Sequence, residues 1–105
     1  MTDEQKNICQ NIADYYGEKH QILKSIEEMA ELTQAIIKYI DNPEEWENFC
    51  DELADVNIMV EQLNYFVSKW VEPKTYNGIS DIEHRIRLKL NRQMKRINKE
   101  IKYYE

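Results

Sequence analysis

The sequence is poor in the residues that end helices and build turns. Its 105 residues include two glycines and two prolines, and no stretch alternates β-branched with polar side chains. This excludes a strand-rich fold, since sheets need frequent turns and a two-residue alternation. The length suits one compact domain with a modest core. We therefore predict an all-α fold for a single domain spanning residues 1–105, arranged as an antiparallel four-helix bundle.

Cysteine, histidine and long apolar runs are also scarce. Cys9 and Cys50 stand apart from each other and from His20 and His84, which argues against zinc-site spacing and against a disulfide framework. No apolar run approaches the length of a membrane span, and the opening Met-Thr-Asp-Glu does not resemble a secretion signal. We expect reduced thiols, a cytoplasmic location and no membrane partner.

Negative charge dominates the chain, but it is unevenly distributed. The formal net charge is −6, yet eight of the fourteen Lys and Arg residues lie between Arg85 and Lys102. A net acidic protein gains no bulk electrostatic attraction to nucleic acid. We therefore expect no nucleic-acid partner.

The first half of the chain contains clear signals for helix ends. Thr2 precedes the first helix, and Gly17 suits the left-handed position after its last turn. A second helix is predicted from about Lys19 to Ile40. Asn42 is then a candidate cap, with Pro43 at the first position of a third helix.

The second half contains one obvious break. The third helix should extend to about Val71, and residues 72–78 contain a proline and an Asn-Gly turn signal, so they predict a loop. Ser80 and Glu83 have the spacing of a capping box at the start of a fourth helix.

Each of the last three helices has an apolar stripe at helical spacing, which we expect to be buried. In the second helix the stripe comprises Ile22, Ile26, Met29, Thr33, Ile36 and Ile40. In the third it comprises Phe49, Val56, Met59, Leu63, Phe66 and Trp70. In the fourth it comprises Ile82, Ile86, Leu90, Ile97, Ile101 and Tyr104. The third stripe is long for one small domain, which predicts a homo-oligomer that covers the excess.

One carboxylate interrupts this pattern. Glu52 lies in the middle of the third stripe, and Asp55 borders it one turn later. A carboxylate withdrawn from water needs a cation or a hydrogen-bond donor. Glu28 and Glu31 form a similar pair on the second helix, beside a weaker apolar surface of Leu32 and Ala35. If another helix covers that surface, the two pairs meet in one cleft.

Oxygen ligands from two helices suit a hard divalent cation such as Mg²⁺, and Mn²⁺ would also fit. With Gly17 and Gly78 as its only glycines, the chain has no phosphate-binding loop, so a metal would have to hold a phosphate ligand. A metal-loaded acidic site can polarise a phosphoryl oxygen and orient water, which makes hydrolysis of a phosphoanhydride plausible.

The segments Ile26–Leu32 and Asp51–Val56 resemble the paired EExxE and ExxD motifs of the MazG-type all-α nucleoside triphosphate pyrophosphohydrolases. Both halves occur in order, on successive helices, and the resemblance covers roughly Ile22–Leu63. It implies that Mg²⁺ is held by Glu28, Glu31, Glu52 and Asp55. It also implies that a (d)NTP is cleaved between its α and β phosphates, giving (d)NMP and pyrophosphate, in nucleotide-pool housecleaning by a dimer or a dimer of dimers.

Other residues are candidates for the remaining roles. Glu27 is the nearest carboxylate that could accept a proton from the attacking water. The candidates for binding phosphates are Lys24, Lys89 and Arg92. The candidates for contacting the base are Gln21, Asn57, Tyr15, Tyr16 and Trp46.

Plainer interpretations stay open beside these. The acids of the second helix could form a solvated face paired with Lys24 and Lys38, and Lys89 and Arg92 could be ordinary surface charges. A phosphoanhydride such as phosphoribosyl-ATP is another candidate substrate. The alternative function is a non-catalytic helical-bundle interaction protein, in which the acids form interhelical ion pairs.

Overall fold

The computed structural model describes residues 1–70 and 81–104, with the backbone alone at residues 103 and 104. The described residues are helical and include no strand, which confirms the all-α prediction. The elements are α1 (Asp3–Tyr16), α2 (Glu18–Asp41), a short 3₁₀ helix (Pro43–Glu45), α3 (Trp46–Trp70) and α4 (Asp81–Tyr104). They fall into two compact units, Met1–Trp70 and Val71–Glu105. The single domain over residues 1–105 stays a prediction.

The start of α1 is fixed by a reciprocal pair of hydrogen bonds. The Gln5 backbone N–H donates to Thr2 Oγ1 at 3.1 Å, and the Thr2 backbone N–H donates to Gln5 Oε1 at 2.9 Å. This capping box satisfies two donors that the first turn of a helix cannot pair internally. The predicted start after Thr2 is confirmed.

Gly17 joins α1 directly to α2, but not in the conformation predicted. Its φ of +88° is positive, whereas its ψ of 163° is extended, so it is not a left-handed helical residue. Its N–H donates to the Ala13 carbonyl at 2.9 Å, and its own carbonyl accepts from Gln21 N–H at 3.1 Å. One residue therefore ends one helix and begins the next, because α2 starts at Glu18.

The connection between α2 and α3 also differs in detail from the prediction. Asn42 makes no side-chain capping bond, and only its carbonyl accepts the Glu45 N–H, at 3.0 Å. Pro43 therefore begins a 3₁₀ turn, and α3 starts at Trp46. Tyr39 stacks on Phe49 with ring centroids 5.3 Å apart and lies 5.6 Å from Trp46. These aromatic contacts hold the end of α2 against the start of α3.

Helices α1, α2 and α3 pack on one another around a small core. Its buried apolar side chains are Cys9, Ala13, Ala35, Met59 and Phe66. The prediction of a buried α3 stripe is confirmed in part: Met59 and Phe66 are buried, whereas Trp70 is 51% exposed. The other three members, Phe49, Val56 and Leu63, are half-buried.

The prediction for the α2 stripe is wrong. Ile26, Met29, Ile36 and Ile40 are exposed, Ile40 by 74%. The buried side chains of α2 are instead Gln21, Ser25, Glu28 and Ala35. The weaker surface beside Glu28 is therefore the one that packs, and its small side chains Ser25 and Ala35 allow a neighbouring helix to approach closely.

The prediction of a buried stripe on α4 is wrong as well. Ile82, Ile86, Leu90, Ile97 and Ile101 are all exposed, by 38% to 55%. An amphipathic helix cannot cover its own apolar face. The predicted loop at 72–78, Ser80 of the second capping box and the Tyr104 side chain lie outside the described residues. Among the residues described, no helix is long and apolar enough to span a membrane.

Candidate functional site

Four carboxylates of α2 and α3 approach one another. Glu28 and Glu31 are three residues apart on α2, and Glu52 and Asp55 are three residues apart on α3. Glu28, Glu31 and Glu52 each place one oxygen within 4.8 Å of the others. Asp55 interacts directly with Glu28. We call these four residues the carboxylate cluster; its two halves meet as the sequence indicated.

Two oxygens of the carboxylate cluster are buried without a donor. Glu28 is 7% exposed and Glu52 is half-buried. The Oε2 atoms of both are buried, and neither has a hydrogen-bond partner among residues 1–70 and 81–104. Such oxygens are costly to bury unless something pairs with them. All four side chains offer the hard oxygen ligands that Mg²⁺ and Mn²⁺ prefer, so the residues fit a divalent cation.

Mutual repulsion is visible in the acidities of the carboxylate cluster. The pKa of Glu31 is raised, chiefly by the negative charge of Glu28 and then by partial desolvation and Glu52. The pKa of Asp55 is raised chiefly by burial, with Glu28 as the next cause. Both shifts mean that the site favours added positive charge.

Lys24 supplies part of that charge. Its Nζ lies 3.2 Å from Glu28 Oε1 and 3.7 Å from Glu27 Oε2. The pKa of Lys24 is raised, first by its hydrogen bond to Glu28. Pairing of the α2 acids with Lys24 is therefore real for Glu27 and Glu28. It leaves the Oε2 atom of Glu28 without a donor among the described residues.

A pocket of about 550 Å³ opens beside the carboxylate cluster. Its apolar and aromatic wall comprises Ile12, Tyr16, His20, Ile58 and Met59. Its polar wall comprises Gln21, Lys24, Glu27, Glu28, Asp55 and Gln62. The volume is in the range of small-molecule sites, and mixed apolar and polar walls are typical of them. Glu28 and Asp55 belong to both the pocket and the carboxylate cluster.

Gln62 is a pocket residue that the sequence analysis missed. It is 1% exposed and accepts a hydrogen bond from Gln21 Nε2 at 2.8 Å. The available signal was its position on the buried face of α3, three residues after Met59 and four before Phe66. Gln62 is therefore, like Glu52, a polar residue on the apolar face of α3.

Several predicted contacts are absent from this pocket. The Asn57 amide donates to the Leu53 carbonyl at 2.9 Å, and Asn57 is not among the described residues that line the pocket. Tyr15 is 82% exposed, and Trp46 stacks on Phe49 instead.

The basic candidates of the fourth helix lie outside the first unit. Lys89 and Arg92 are exposed residues of α4. Their role as phosphate ligands stays a prediction.

Comparison of the chain with models of known protein families, with curated proteins and with solved structures finds no match. The function is therefore inferred from the residues and geometry of the site.

Proposed function

We propose that the chain is a divalent-metal-dependent nucleotide pyrophosphohydrolase of the MazG-like type, which hydrolyses a (d)NTP to (d)NMP and pyrophosphate. One observation carries the proposal: Glu28 belongs both to the carboxylate cluster and to the wall of the adjoining pocket. A ligand in that pocket has a cation-binding site at its border. Nucleotides are ligands of this kind, since a flat base is joined to an anionic chain that metal ions bind.

In this proposal the carboxylate cluster, Glu28, Glu31, Glu52 and Asp55, holds Mg²⁺ or Mn²⁺. The buried Oε2 atoms of Glu28 and Glu52 support this assignment. Neither accepts a hydrogen bond from a described residue, so a cation bound there would displace no such donor. When bound, the cation supplies positive charge that polarises phosphoryl oxygens and offsets the charge of the triphosphate.

The remaining roles belong to side chains of the pocket wall. Lys24, which is half exposed and close to Glu28, binds a phosphate oxygen. Glu27 lies in the same wall. It accepts a proton from the attacking water while the water oxygen forms a bond to a phosphorus atom. The bond between that phosphorus and the oxygen bridging the α and β phosphates breaks, and the products are a monophosphate and pyrophosphate. Lys89 and Arg92 are proposed to bind the β and γ phosphates.

The arrangement of the molecule is also a proposal. We infer an antiparallel bundle, since the end of α2 contacts the start of α3 through Tyr39 and Trp46, while Gln21 near the start of α2 contacts Gln62. We also infer a homo-oligomer, because the exposed apolar side chains of α2 need a cover. A cytoplasmic location suits a protein that acts on the nucleotide pool.

A non-catalytic interaction protein is the second candidate. It is favoured by the ion pairs that Lys24 makes with Glu27 and Glu28. In that case the acids would act structurally, and the exposed apolar face of α2 would be the functional surface. An assay of the purified protein distinguishes the two candidates.

The deciding experiment is incubation with a panel of (d)NTPs and Mg²⁺, followed by separation of the products. We expect monophosphate and pyrophosphate in equal amounts. Glu28→Gln and Glu52→Gln should each lower kcat/KM by about a hundredfold or more, which corresponds to about 2.7 kcal/mol. Both variants should also lose Mg²⁺ binding in calorimetry while keeping their helical circular dichroism.

Glu100→Gln is the matched control, because Glu100 is an exposed acid that belongs neither to the carboxylate cluster nor to the described pocket wall. It should leave turnover and Mg²⁺ binding unchanged. Orthophosphate as the product would contradict cleavage between the α and β phosphates. No hydrolysis and no cation uptake across the panel would favour the interaction protein.

A further inference from the structure

Two buried glutamines form one hydrogen-bonded unit in the pocket wall. Gln21 of α2 is 4% exposed and Gln62 of α3 is 1% exposed. Gln21 Nε2 donates to Gln62 Oε1 at 2.8 Å, and both residues line the pocket. Primary amides are seldom buried in this way unless their hydrogen bonds are satisfied. The pair is therefore a fixed polar feature in a wall whose neighbouring side chains, Ile58 and Met59, are apolar.

The direction of the hydrogen bonds follows from a third residue. His20 Nδ1 lies 2.7 Å from Gln21 Oε1. A carbonyl oxygen can only accept, so His20 Nδ1 carries the hydrogen. Gln21 thus turns its oxygen to His20 and its Nε2 to Gln62. Gln62 accepts with its own oxygen, which leaves its Nε2 group with two N–H bonds to donate.

The rest of the wall suits a flat heterocycle. The rings of Tyr16 and His20 are stacked, with centroids 4.9 Å apart and planes 15° apart. Aromatic faces and apolar side chains contact a base without distinguishing its polar edge. The charged side chains of the pocket wall are those of Lys24, Glu27, Glu28 and Asp55. Away from them, the glutamine pair supplies hydrogen bonds that can distinguish the polar edge of one base from that of another.

We propose that Gln62 is a specificity-determining residue whose Nε2 donates to the carbonyl oxygen at position 4 of a pyrimidine or position 6 of a purine. The pocket then prefers bases with an oxo group at that position, such as uracil and hypoxanthine, over cytosine and adenine, which carry an amino group there. An amino group presents hydrogen to the Gln62 donor, so the amide is left unpaired in the complex. This inference rests on the proposed function, and it specifies the class of nucleotide.

The test uses two pairs of nucleotides matched in size, UTP with CTP and ITP with ATP. Within each pair the oxo nucleotide should have at least about tenfold higher kcat/KM, since a site built to hydrogen-bond a ligand rejects the analogue that cannot pair. Gln62→Met keeps the length of the side chain but removes its donor, so both ratios should fall to near one. Gln62→Glu replaces the donor by an acceptor, so the ratios should fall below one.

Gln34→Met is the matched control, because Gln34 is an exposed residue of α2 that is not among the described pocket residues. It should keep the wild-type ratios. Thermal melting of each variant reports whether it folds. If both Gln62 variants fail to fold, the wild-type ratios alone decide, and equal values within both pairs overturn the proposal.

Binding separates this inference from the proposed function. The same pairs, as analogues with a non-hydrolysable link between the α and β phosphates, are titrated into the wild-type protein. An oxo preference in affinity without turnover of the natural nucleotides supports the role of Gln62 and contradicts the hydrolase. Turnover of all four nucleotides with equal kcat/KM and equal affinities supports the hydrolase and overturns the role of Gln62.

Discussion

Glu28 lies in surroundings that are unfavourable for a charged side chain. It is buried on the packed side of α2, where an apolar side chain would stabilise the fold, and its charge raises the pKa of Glu31 and Asp55. Lys24 pairs with one of its oxygens only. A residue that lowers stability in this way is typical of a functional site. Its presence is explained if a cation relieves the repulsion.

Glu31→Gln tests this explanation through stability. Removing one negative charge from the carboxylate cluster should raise the melting temperature of the metal-free protein, because Glu28 is the largest cause of the raised pKa of Glu31. The same variant should gain less stability than wild type on addition of Mg²⁺, since a ligand that binds the folded state more weakly stabilises it less. Differential scanning fluorimetry with and without Mg²⁺ measures both effects.

The Glu100→Gln variant provides the comparison for Glu31→Gln, as an exposed acid on α4. Its melting temperature should stay close to that of wild type in both conditions. A lower melting temperature for metal-free Glu31→Gln would mean that Glu31 is a structural partner and that the repulsion argument is wrong.

The residues of the site were partly predictable from the sequence. The spacing within Glu28/Glu31 and within Glu52/Asp55 follows from helical periodicity, and an acid within an apolar stripe is visible without a structure. Gln62 was missed because an uncharged amide on a buried face is a weaker anomaly than a carboxylate. Its importance becomes visible only through contact with Gln21, which is 41 residues away in the chain.

At the scale of elements, the join between α1 and α2 depends on one glycine. The φ of Gly17 is +88°, and a Cβ built there meets nothing within 4 Å. The cost of Gly17→Ala is therefore backbone strain, and we expect it to lower the free energy of unfolding by roughly 1 to 2 kcal/mol. Urea denaturation measures this change. Gln34→Ala, on the exposed side of α2, should stay within about 0.5 kcal/mol of wild type.

A polar contact holds α1 against α3. Asp14 accepts hydrogen bonds from Tyr65 Oη at 2.8 Å and from Lys69 Nζ at 3.0 Å. These bonds, first that of Lys69 and then that of Tyr65, lower the pKa of Asp14 from its ordinary 3.8. The contribution to stability is therefore complete above the ordinary value and is lost as pH falls through the lowered pKa.

Asp14→Asn should accordingly destabilise the protein most near neutral pH, and the difference from wild type should shrink below about pH 4. Urea midpoints measured across this pH range test the prediction. Tyr65→Phe removes one of the two donors, so its effect should have the same pH dependence and a smaller size. A difference between Asp14→Asn and wild type that grows on acidification would contradict the assigned direction.

The helices were easier to predict than the faces they bury. Thr2 and Gly17 marked the ends of α1, and α2 differs from its prediction by one residue at each end. Periodicity identifies an apolar stripe but not which neighbour covers it. For α2 the prediction assumed that the most apolar side packs within the chain, whereas Gln21, Ser25 and Glu28 pack there. Contacts between helices decided the face, and they are not local in sequence.

At the scale of the whole molecule, the outer face of α2 is the least explained surface. It comprises Leu23, Ile26, Met29, Ile36, Ile37 and Ile40. Thr33 lies among them, and its hydroxyl donates a hydrogen bond to the Met29 carbonyl at 3.0 Å. The hydroxyl hydrogen therefore needs no bond to water. The first unit also contains five lysines against fifteen acids. Because the unit is acidic, two copies repel each other least where their contacting surfaces carry no charge, as on this stripe.

The proposed homo-oligomer is tested on this face. Ile26 and Ile37, which are 61% and 58% exposed, lie on the stripe, and Ile26→Glu with Ile37→Glu should convert an oligomer to a monomer in sedimentation velocity. Asn11→Glu adds a charge to the exposed surface of α1, away from the stripe, and should keep the wild-type assembly. Wild type that sediments as a monomer even at about 100 μM, where a dimer of micromolar affinity would be assembled, would contradict the proposal. Because the substituted residues lie outside the described pocket wall, a monomeric variant that retains turnover would further show that one copy holds a complete site.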